Sequence, residues 1–205
     1  MRQIVVAVLL LVACAAPGGV AAQSGPGHAA PSAPTALYRL DPVHTQISFS
    51  VERFGFTRVY GFFDDITGEV VLDPLHPELS SVHAIIPIAS LDTGNAERDG
   101  FLRGQFWLKG DAFPTMEFRS SAVRRAGDRQ VEVTGELTLA GVSAPVTMIV
   151  TLNNQGVDPH TRRQAAGFSA AGTLSRSTFG IRTAPPIGDE VRFSIEAFAL
   201  SGDPA

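Results

Sequence analysis

The chain has 205 residues, of which 44% are hydrophobic and 18% charged, and its formal net charge at pH 7 is −4. This balance excludes a chain that is disordered throughout, and it leaves no polybasic surface for binding nucleic acid. The length is enough for one domain with a hydrophobic core.

Residues 1–22 have the pattern of an export signal. Arg2 provides a positive flank, and an apolar run that is short for crossing a bilayer follows at residues 4–16. Small residues at Val20, Ala21 and Ala22 fit a cleavage site before Gln23. We expect a periplasmic protein that is released after Ala22.

Cys14 allows an alternative to soluble release. The sequence Leu11-Val12-Ala13-Cys14 resembles a bacterial lipobox, in which Cys14 would be lipidated and would anchor the protein to a membrane. If cleavage instead follows Ala22, no cysteine remains, which excludes disulfides, a thiolate nucleophile and cysteine zinc ligands.

The remaining sequence divides into a spacer, one domain and a tail. Residues 23–36 are rich in Pro, Ala, Gly and Ser without periodicity, which is typical of a flexible spacer. The domain is predicted at residues 37–200, and residues 201–205 form a polar tail.

Period-two alternation of apolar and polar residues dominates the predicted domain and indicates β-strands with one buried face. Two further strands are predicted at residues 59–65 and 66–73. Turn residues separate the runs, among them Asn153-Asn154-Gln155-Gly156 and Gly188-Asp189. Many short strands in succession predict an all-β, antiparallel sandwich or barrel of roughly eight strands. The alternating series are Ile47–Val51, Val82–Ile88, Met116–Phe118, Val131–Leu139, Val146–Leu152, Phe168–Leu174 and Val191–Ala197.

Residues 92–107 interrupt the alternation and predict one short helix. Thr93 or Asn95 can cap its N-terminus, and Leu102 and Phe106 lie at i,i+4 spacing. Gly100 and Gly104 weaken the helix, since each costs about 1 kcal/mol relative to Ala in a helix interior.

Motifs for catalysis or metal binding are weak in this sequence. The five histidines lack the spacing that directs two imidazoles at one metal. The adjacent acids Asp64-Asp65 and Asp189-Glu190 point to opposite faces of a strand. We therefore predict no catalytic residues, no metal and no cofactor. An enzyme acting on a small lipophilic substrate is the alternative, and it requires two titratable side chains that converge inside the barrel.

The aromatic residues indicate a different use of the barrel interior. The chain has thirteen Phe and one Trp but only two Tyr, which gives bulky apolar surface with few polar groups. Small residues such as Gly135, Ala170 and Gly172 on inward faces could leave an elongated void that selects apolar chains by burial. A filled interior is an equally consistent interpretation.

Five segments, taken in order, resemble the YceI-like family of exported proteins. The resemblance implies a lipocalin-like barrel with one short helix near its mouth, and binding of a polyisoprenoid, an isoprenoid quinone or a related lipid. The segments are DPVHTQISFSVERFGFTRVYGFF (41–63), SLDTGNAERDGFLRGQFW (90–107), FPTMEFRSS (113–121), VTGELTLAGVSAPVTM (133–148), and SRSTFGI with GDEV near the end.

The chain departs from the family pattern at the predicted mouth. The family often has His at the positions of Arg53 and Phe101, and Ser at the position of Gly104. A head-group contact made by either His would be altered here. Arg98 and Asp99 match a family pair that we interpret as a structural ion pair holding the helix over the mouth, with a head-group role as the alternative.

We therefore predict a periplasmic lipid-binding or carrier protein rather than an enzyme. Its partner is a long-chain lipid or isoprenoid, with transient membrane contact and a homodimer as further possibilities. A third hypothesis is an envelope assembly factor with a filled barrel and an apolar patch outside. The predicted lining residues are Phe49, Val51, Phe101, Phe106, Trp107, Phe118, Met148, Phe168 and Phe193.

Overall fold

A computed structural model describes residues 35–182 and 187–202. Within these ranges the chain forms eleven strands, one α-helix and three short 3₁₀ turns. The strands are β1 (Ala36–Leu40), β2 (Gln46–Arg53), β3 (Thr57–Phe63), β4 (Thr67–Leu72), β5 (Ser81–Pro87), β6 (Leu91–Asp92), β7 (Thr115–Arg125), β8 (Gln130–Leu139), β9 (Val142–Val157), β10 (Gln164–Ser175) and β11 (Ile187–Ser201). The helix, α1, spans Ala96–Arg103, and the 3₁₀ turns lie at Pro77–Leu79, Ile88–Ser90 and Arg176–Phe179.

Eight strands close into an antiparallel barrel. Neighbours follow the order β1, β4, β5, β7, β8, β9, β10 and β11, and β11 returns to β1 through the pairing of Tyr38 with Ser201. Strands β2, β3 and β6 extend this ring, since β2 pairs with β11, β3 with β2 and β6 with β3. The predicted antiparallel barrel of about eight strands is confirmed.

Strands β1 and β2 both pair with β11, and residues 41–45 interrupt them. The Thr45 hydroxyl donates to the Phe198 carbonyl oxygen (3.2 Å) and accepts from the Phe198 N–H (3.2 Å). The N–H of Asp41 donates to the same carbonyl (2.8 Å). These bonds replace the strand-to-strand hydrogen bonds that the interruption removes, so the backbone groups of Phe198 remain hydrogen-bonded.

The alternating series fall on strands β2, β5 and β7–β11, but two predicted turns lie inside strands. Residues 153–156 belong to β9, where the register shifts and Asn153 is skipped between Leu152 and Asn154. The turn-like residues therefore mark a β-bulge, and the chain reverses after Val157. Gly188 and Asp189 similarly lie within β11.

The predicted short helix is present, and Asn95 is its cap. The Asn95 side-chain oxygen accepts from the Arg98 N–H at 2.9 Å, which satisfies one of the free donors of the first turn. The helix ends at Arg103, so Phe106 and Trp107 follow it rather than belong to it. None of the described helices is long and apolar enough to cross a membrane.

The predicted signal segment, residues 1–22, and most of the spacer lie outside the described residues. Strand β1 begins at Ala36, the last residue assigned to the spacer, and β11 ends at Ser201, the first residue assigned to the tail. The barrel therefore uses one residue more at each end than the predicted domain of 37–200.

Candidate ligand-binding cavity

The barrel encloses a cavity of about 620 Å³ with a mostly apolar wall. The volume lies in the range of small-molecule binding sites. The cavity extends from the helix end of the barrel, near Arg53 and Leu91, to the opposite end, near Asp73 and Gln130. The interior is therefore open, not filled.

Glycines in the wall explain why the bulky phenylalanines leave this space. A Cβ added at Gly172 would lie 2.6 Å from Cζ of Phe193, and one at Gly61 would lie 2.5 Å from Cζ of Phe49. These pairs are direct partners on neighbouring strands. Each ring thus covers the glycine opposite it and lies against the wall, because no side chain occupies that position.

Eight of the nine predicted lining residues lie on the cavity wall. They are Phe49, Val51, Phe101, Trp107, Phe118, Met148, Phe168 and Phe193. Six of the eight come from strands, whose alternation turns them inward, and Phe101 and Trp107 come from α1 and the turn after it.

Phe106 is the exception. Its side chain is 64% exposed and does not line the cavity. It lies beside Gly104 and Gln105 in a shallow surface depression. The i,i+4 spacing with Leu102 is misleading here because the helix ends at Arg103.

Arg98 and Asp99 meet at Thr93 rather than at each other, which corrects the predicted direct ion pair. Asp99 Oδ1 accepts from the Thr93 N–H (3.0 Å) and hydroxyl (2.5 Å). Arg98 Nε donates to the same hydroxyl (2.8 Å), and Arg98 Nη2 to the Thr93 carbonyl oxygen (2.7 Å). The ion pairs of the described residues do not include this pair. Both side chains nevertheless fix α1 to the chain before it, and Arg98 also lines the cavity.

Arg176 is a charged residue of the wall that sequence reasoning missed. It is buried, and its guanidinium donates to the carbonyl oxygens of Ile181 (2.6 Å), Ile187 (2.8 Å) and Gly188 (3.0 Å). It also lies 5.8 Å from the centre of the Trp107 ring. The sequence marked this arginine only through its place in the family segment SRSTFGI. Its partners are backbone carbonyl groups, which no pattern of side chains reveals.

Trp107 contributes an unusual group at the same end. Its indole N–H is buried and has no hydrogen-bond acceptor within the described part of the chain. Its ring lies 5.8 Å from that of Phe101, centre to centre. A buried donor without a partner costs free energy, so an oxygen atom supplied by a ligand would be favoured there.

The opposite end of the cavity is also polar. Asp73 lies there and accepts from the N–H groups of Leu75 (3.1 Å) and His76 (2.9 Å) and from the Thr35 hydroxyl (3.1 Å). The His76 N–H contributes most to holding the pKa of Asp73 below its ordinary value of 3.8, and burial opposes the shift. Asp73 therefore stays ionised at neutral pH and fixes the turn after β4.

In the part of the chain that the structure describes, the charged wall residues lie at the two ends of the cavity. They are Arg53, Arg98 and Arg176 at the helix end, and Asp73, Arg125, Asp128 and Arg129 at the opposite end. Within residues 35–182 and 187–202, no three His, Cys, Asp or Glu side chains form a group that could hold a metal ion. The space between the ends can take up an apolar chain by burial alone.

Outside the barrel, one cluster of titratable residues stands on the surface of β5 and β7. His83 Nε2 lies 2.7 Å from Glu117 Oε1, and Arg119 contacts the same carboxylate at 2.5 Å. The hydrogen bond to His83 is the main cause of the lowered pKa of Glu117. These residues do not line the cavity.

Comparison with known proteins decides the family. The YceI-like domain matches residues 38–199, which is nearly the whole barrel. This chain belongs to the YceI-like family. Protein YceI of Salmonella arizonae is 36% identical over 167 residues, covering 80% of this chain and 86% of that protein.

Solved structures agree with the YceI-like fold. BcnA of Burkholderia cenocepacia matches with a TM-score of 0.70 at 25% identity, over 78% of this chain and 98% of BcnA. A polyisoprenoid binding domain from Saccharophagus degradans matches with a TM-score of 0.62 at 14% identity, over 82% of this chain and 99% of that domain. The second likeness shows the common fold alone.

Proposed function

We propose that this protein is a periplasmic carrier that holds a long apolar chain, such as a polyisoprenoid, an isoprenoid quinone or a fatty-acyl amphiphile, inside its barrel. The open apolar cavity is the observation on which the proposal depends. Burial of ten methylene groups would contribute about 8 kcal/mol before the entropic costs of binding are subtracted. Such a cavity can therefore retain a chain without any specific polar contact along its length.

A solved domain of the same fold supports the same ligand class. The polyisoprenoid binding domain of Saccharophagus degradans has this fold. The signal pattern of residues 1–22 supports the periplasmic location in this proposal, with anchoring through Cys14 as the alternative.

The polar head of the ligand belongs at the helix end in this proposal. That end combines Arg98 and Arg176 on the wall with the Trp107 N–H, which has no acceptor among residues 35–182 and 187–202. An oxygen-bearing head group would supply the acceptor that Trp107 lacks, and the tail would extend along Phe49, Phe118 and Phe193.

Binding without catalysis is the second part of the proposal. The enzyme hypothesis requires two titratable side chains that converge inside the barrel, and the titratable wall residues named above lie at its two ends. The assembly-factor hypothesis requires a filled barrel, which an open cavity disfavours.

Native mass spectrometry of protein purified from its own envelope tests the proposal. We expect a stoichiometric long-chain lipid, which denaturing extraction would identify. Protein that is empty and also fails to take up added prenols and quinones would overturn the proposal. The intact mass also shows whether Cys14 is lipidated.

Three variants test the site itself. Phe168→Asp places a charge on the cavity wall and should abolish retention. Ala197→Phe fills the cavity with an apolar ring and should reduce retention without adding a charge. Ile149→Asp is the matched control, because Ile149 lies on the outer face of β9 and is 41% exposed. Normal retention in folded Phe168→Asp and Ala197→Phe would contradict the assignment of the cavity as the ligand site.

A further inference from the structure

Four exposed phenylalanines lie around the helix end of the cavity. Phe54 and Phe56 belong to the turn between β2 and β3, and Phe101 and Phe106 lie on α1 and just after it. We call these four residues the aromatic rim. Phe56 is 92% exposed, Phe106 is 64%, Phe101 is 61% and Phe54 is 39%. Exposed aromatic side chains concentrated at one end of a barrel are typical of an interaction surface.

The rim is continuous with the cavity. Phe54 and Phe101 both lie on the cavity wall as well as at the surface. A chain of contacts connects their elements: Arg53 pairs with Ile187, and Arg176 bonds the Ile187 carbonyl and lies over the Trp107 ring, which neighbours Phe101. An apolar chain leaving the cavity would therefore pass directly between rim side chains.

The backbone at Phe54 is strained, because it adopts a left-handed conformation. Phe54 and Gly55 both have positive φ, 57° and 70°, and the Phe56 N–H donates to the Arg53 carbonyl oxygen at 3.1 Å. Tight hairpin turns of this kind favour Asn or Gly at the first position, and a bulky residue there is an outlier. The ring borders the cavity and stacks against the Arg53 guanidinium at 4.1 Å, and it remains 39% exposed. Strain of this kind is found at functional sites.

Charge at the rim differs from that of the whole protein. The two rim segments, residues 52–58 and 96–110, contain five basic and three acidic residues, although the chain has a net charge of −4. Arg53 stands beside the exposed turn, and Arg103 lies in the last turn of α1. Basic side chains next to exposed aromatic rings fit a bilayer that contains anionic lipid, with the rings in the headgroup region and the cations at the phosphates.

We propose that the aromatic rim is the surface through which this protein docks on an anionic bilayer, with the helix end of the cavity facing the lipid. The proposal rests on the carrier function proposed above. Docking in this orientation lets an apolar chain move between bilayer and cavity without crossing water, because the rim excludes water from the path.

Vesicle co-sedimentation tests the docking surface. The purified protein is mixed with vesicles of phosphatidylcholine and phosphatidylglycerol, and with vesicles of phosphatidylcholine alone. We expect stronger binding to the anionic vesicles and about a tenfold loss of that binding in the double variant Phe56→Ser, Phe106→Ser, since two inserted rings are removed. Neither residue lies on the cavity wall. Equal binding of wild type and double variant would overturn the proposal.

Leu79→Ser is the matched control. Leu79 is 60% exposed and lies in the turn at Pro77–Leu79, at the opposite end of the barrel. We expect it to bind vesicles like the wild type. A loss of binding in Leu79→Ser but not in the rim variant would assign docking to the other end and refute the rim.

Two further measurements separate this proposal from the carrier function. After equilibration with an added prenol, native mass spectrometry should show equal occupancy in wild type and rim variant, since the cavity is unchanged. If the protein binds a lipid but its vesicle binding does not depend on the rim, the docking proposal alone is refuted. If it binds vesicles through the rim but holds no lipid, the carrier function is refuted and the docking surface stands. Analytical ultracentrifugation tests whether a second copy of the chain covers the rim instead of a bilayer. A dimer that the rim variant abolishes, in a protein that binds no vesicles, would overturn lipid docking.

Discussion

The ring of Phe193 covers Gly172, its direct partner on the neighbouring strand, so closely that a Cβ at position 172 would come within 2.6 Å of Cζ. The backbone carbonyl of Thr147 would be 3.0 Å from the same Cβ, so the backbone cannot easily give way. Any side chain at position 172 must therefore push the ring toward the cavity.

Gly172→Ala should reduce the cavity and its retention of a long-chain lipid. Overpacking of this kind costs about 1–3 kcal/mol of stability. Gly167→Ala, on the same strand, is the control, because its nearest neighbour would be Asn153 Cβ at 4.0 Å. Lipid occupancy by native mass spectrometry and unfolding in denaturant measure the two effects. Full occupancy in Gly172→Ala would show that the ring position does not determine the available space.

Thr93→Val should loosen α1 over the helix end. The substitution keeps the shape of the side chain but removes the hydroxyl that donates to Asp99 and accepts from Arg98. Asp99 is buried, with 6% of the residue exposed, so the loss of a donor to its carboxylate should cost about 1–3 kcal/mol. Thr93→Ser retains the hydroxyl and should restore most of the stability. Hydrogen exchange of residues 96–103 is the direct readout, and unchanged protection in Thr93→Val would contradict the role assigned to the hydroxyl.

Asp73 should contribute to a loss of stability in acid. Its pKa is lower in the folded chain than its ordinary value of 3.8, mainly because the His76 N–H donates to the carboxylate. The ionised Asp73 carboxylate therefore stabilises the fold at pH values above the pKa that Asp73 has in the unfolded chain. This stabilisation is lost as the pH falls through the lower pKa of the folded chain.

The variant Asp73→Asn should flatten the acid side of the stability curve. Its amide oxygen can still accept from the backbone N–H groups, but the side chain no longer titrates. Denaturant unfolding from about pH 5 downward measures the slope. Part of the slope should remain in the variant, because the pKa values of Glu117, Asp158 and Asp189 are also lowered in the folded chain. A slope identical to that of the wild type would refute the contribution of Asp73.

Trp107→Phe should change the selectivity of the cavity. The variant lacks the indole N–H that has no acceptor in the described chain. A prenol should bind more weakly to the variant by about 0.5–1.5 kcal/mol if its oxygen accepts from that N–H. A polyisoprene hydrocarbon of equal length is the control and should show a smaller loss. Equal losses for both ligands would show that Trp107 contributes only apolar surface.

Much of the fold could be predicted from local patterns. The alternation of Val131, Val133, Leu137 and Leu139 places these residues on one face of β8, because side chains in a strand alternate with a period of two. Asn95 could be named as a possible cap because only a short polar side chain can accept from the first turn of a helix. The inward position of Phe118 and Phe193 follows from the same alternation.

Other features depend on partners that are distant in the sequence. The Asn153–Gly156 segment has turn residues, yet pairing with β10 converts it into a bulge within a strand. Arg176 binds carbonyl oxygens of residues five to twelve positions away, and its own sequence context does not indicate them. Phe106 fits the helical spacing but lies beyond the helix end, since Gly104 stops the helix earlier.

The sequence by itself determined nine of the eleven described strands, the short helix, the family and the apolar character of the inward faces, because each depends on local periodicity or on motifs in order. Only the tertiary structure decided that the barrel is closed by β1 against β11 and that its interior is open. Both depend on which strands become neighbours. The pairing of Phe193 with Gly172 joins residues on separate strands, and this pairing lets the ring lie against the wall and leave a cavity.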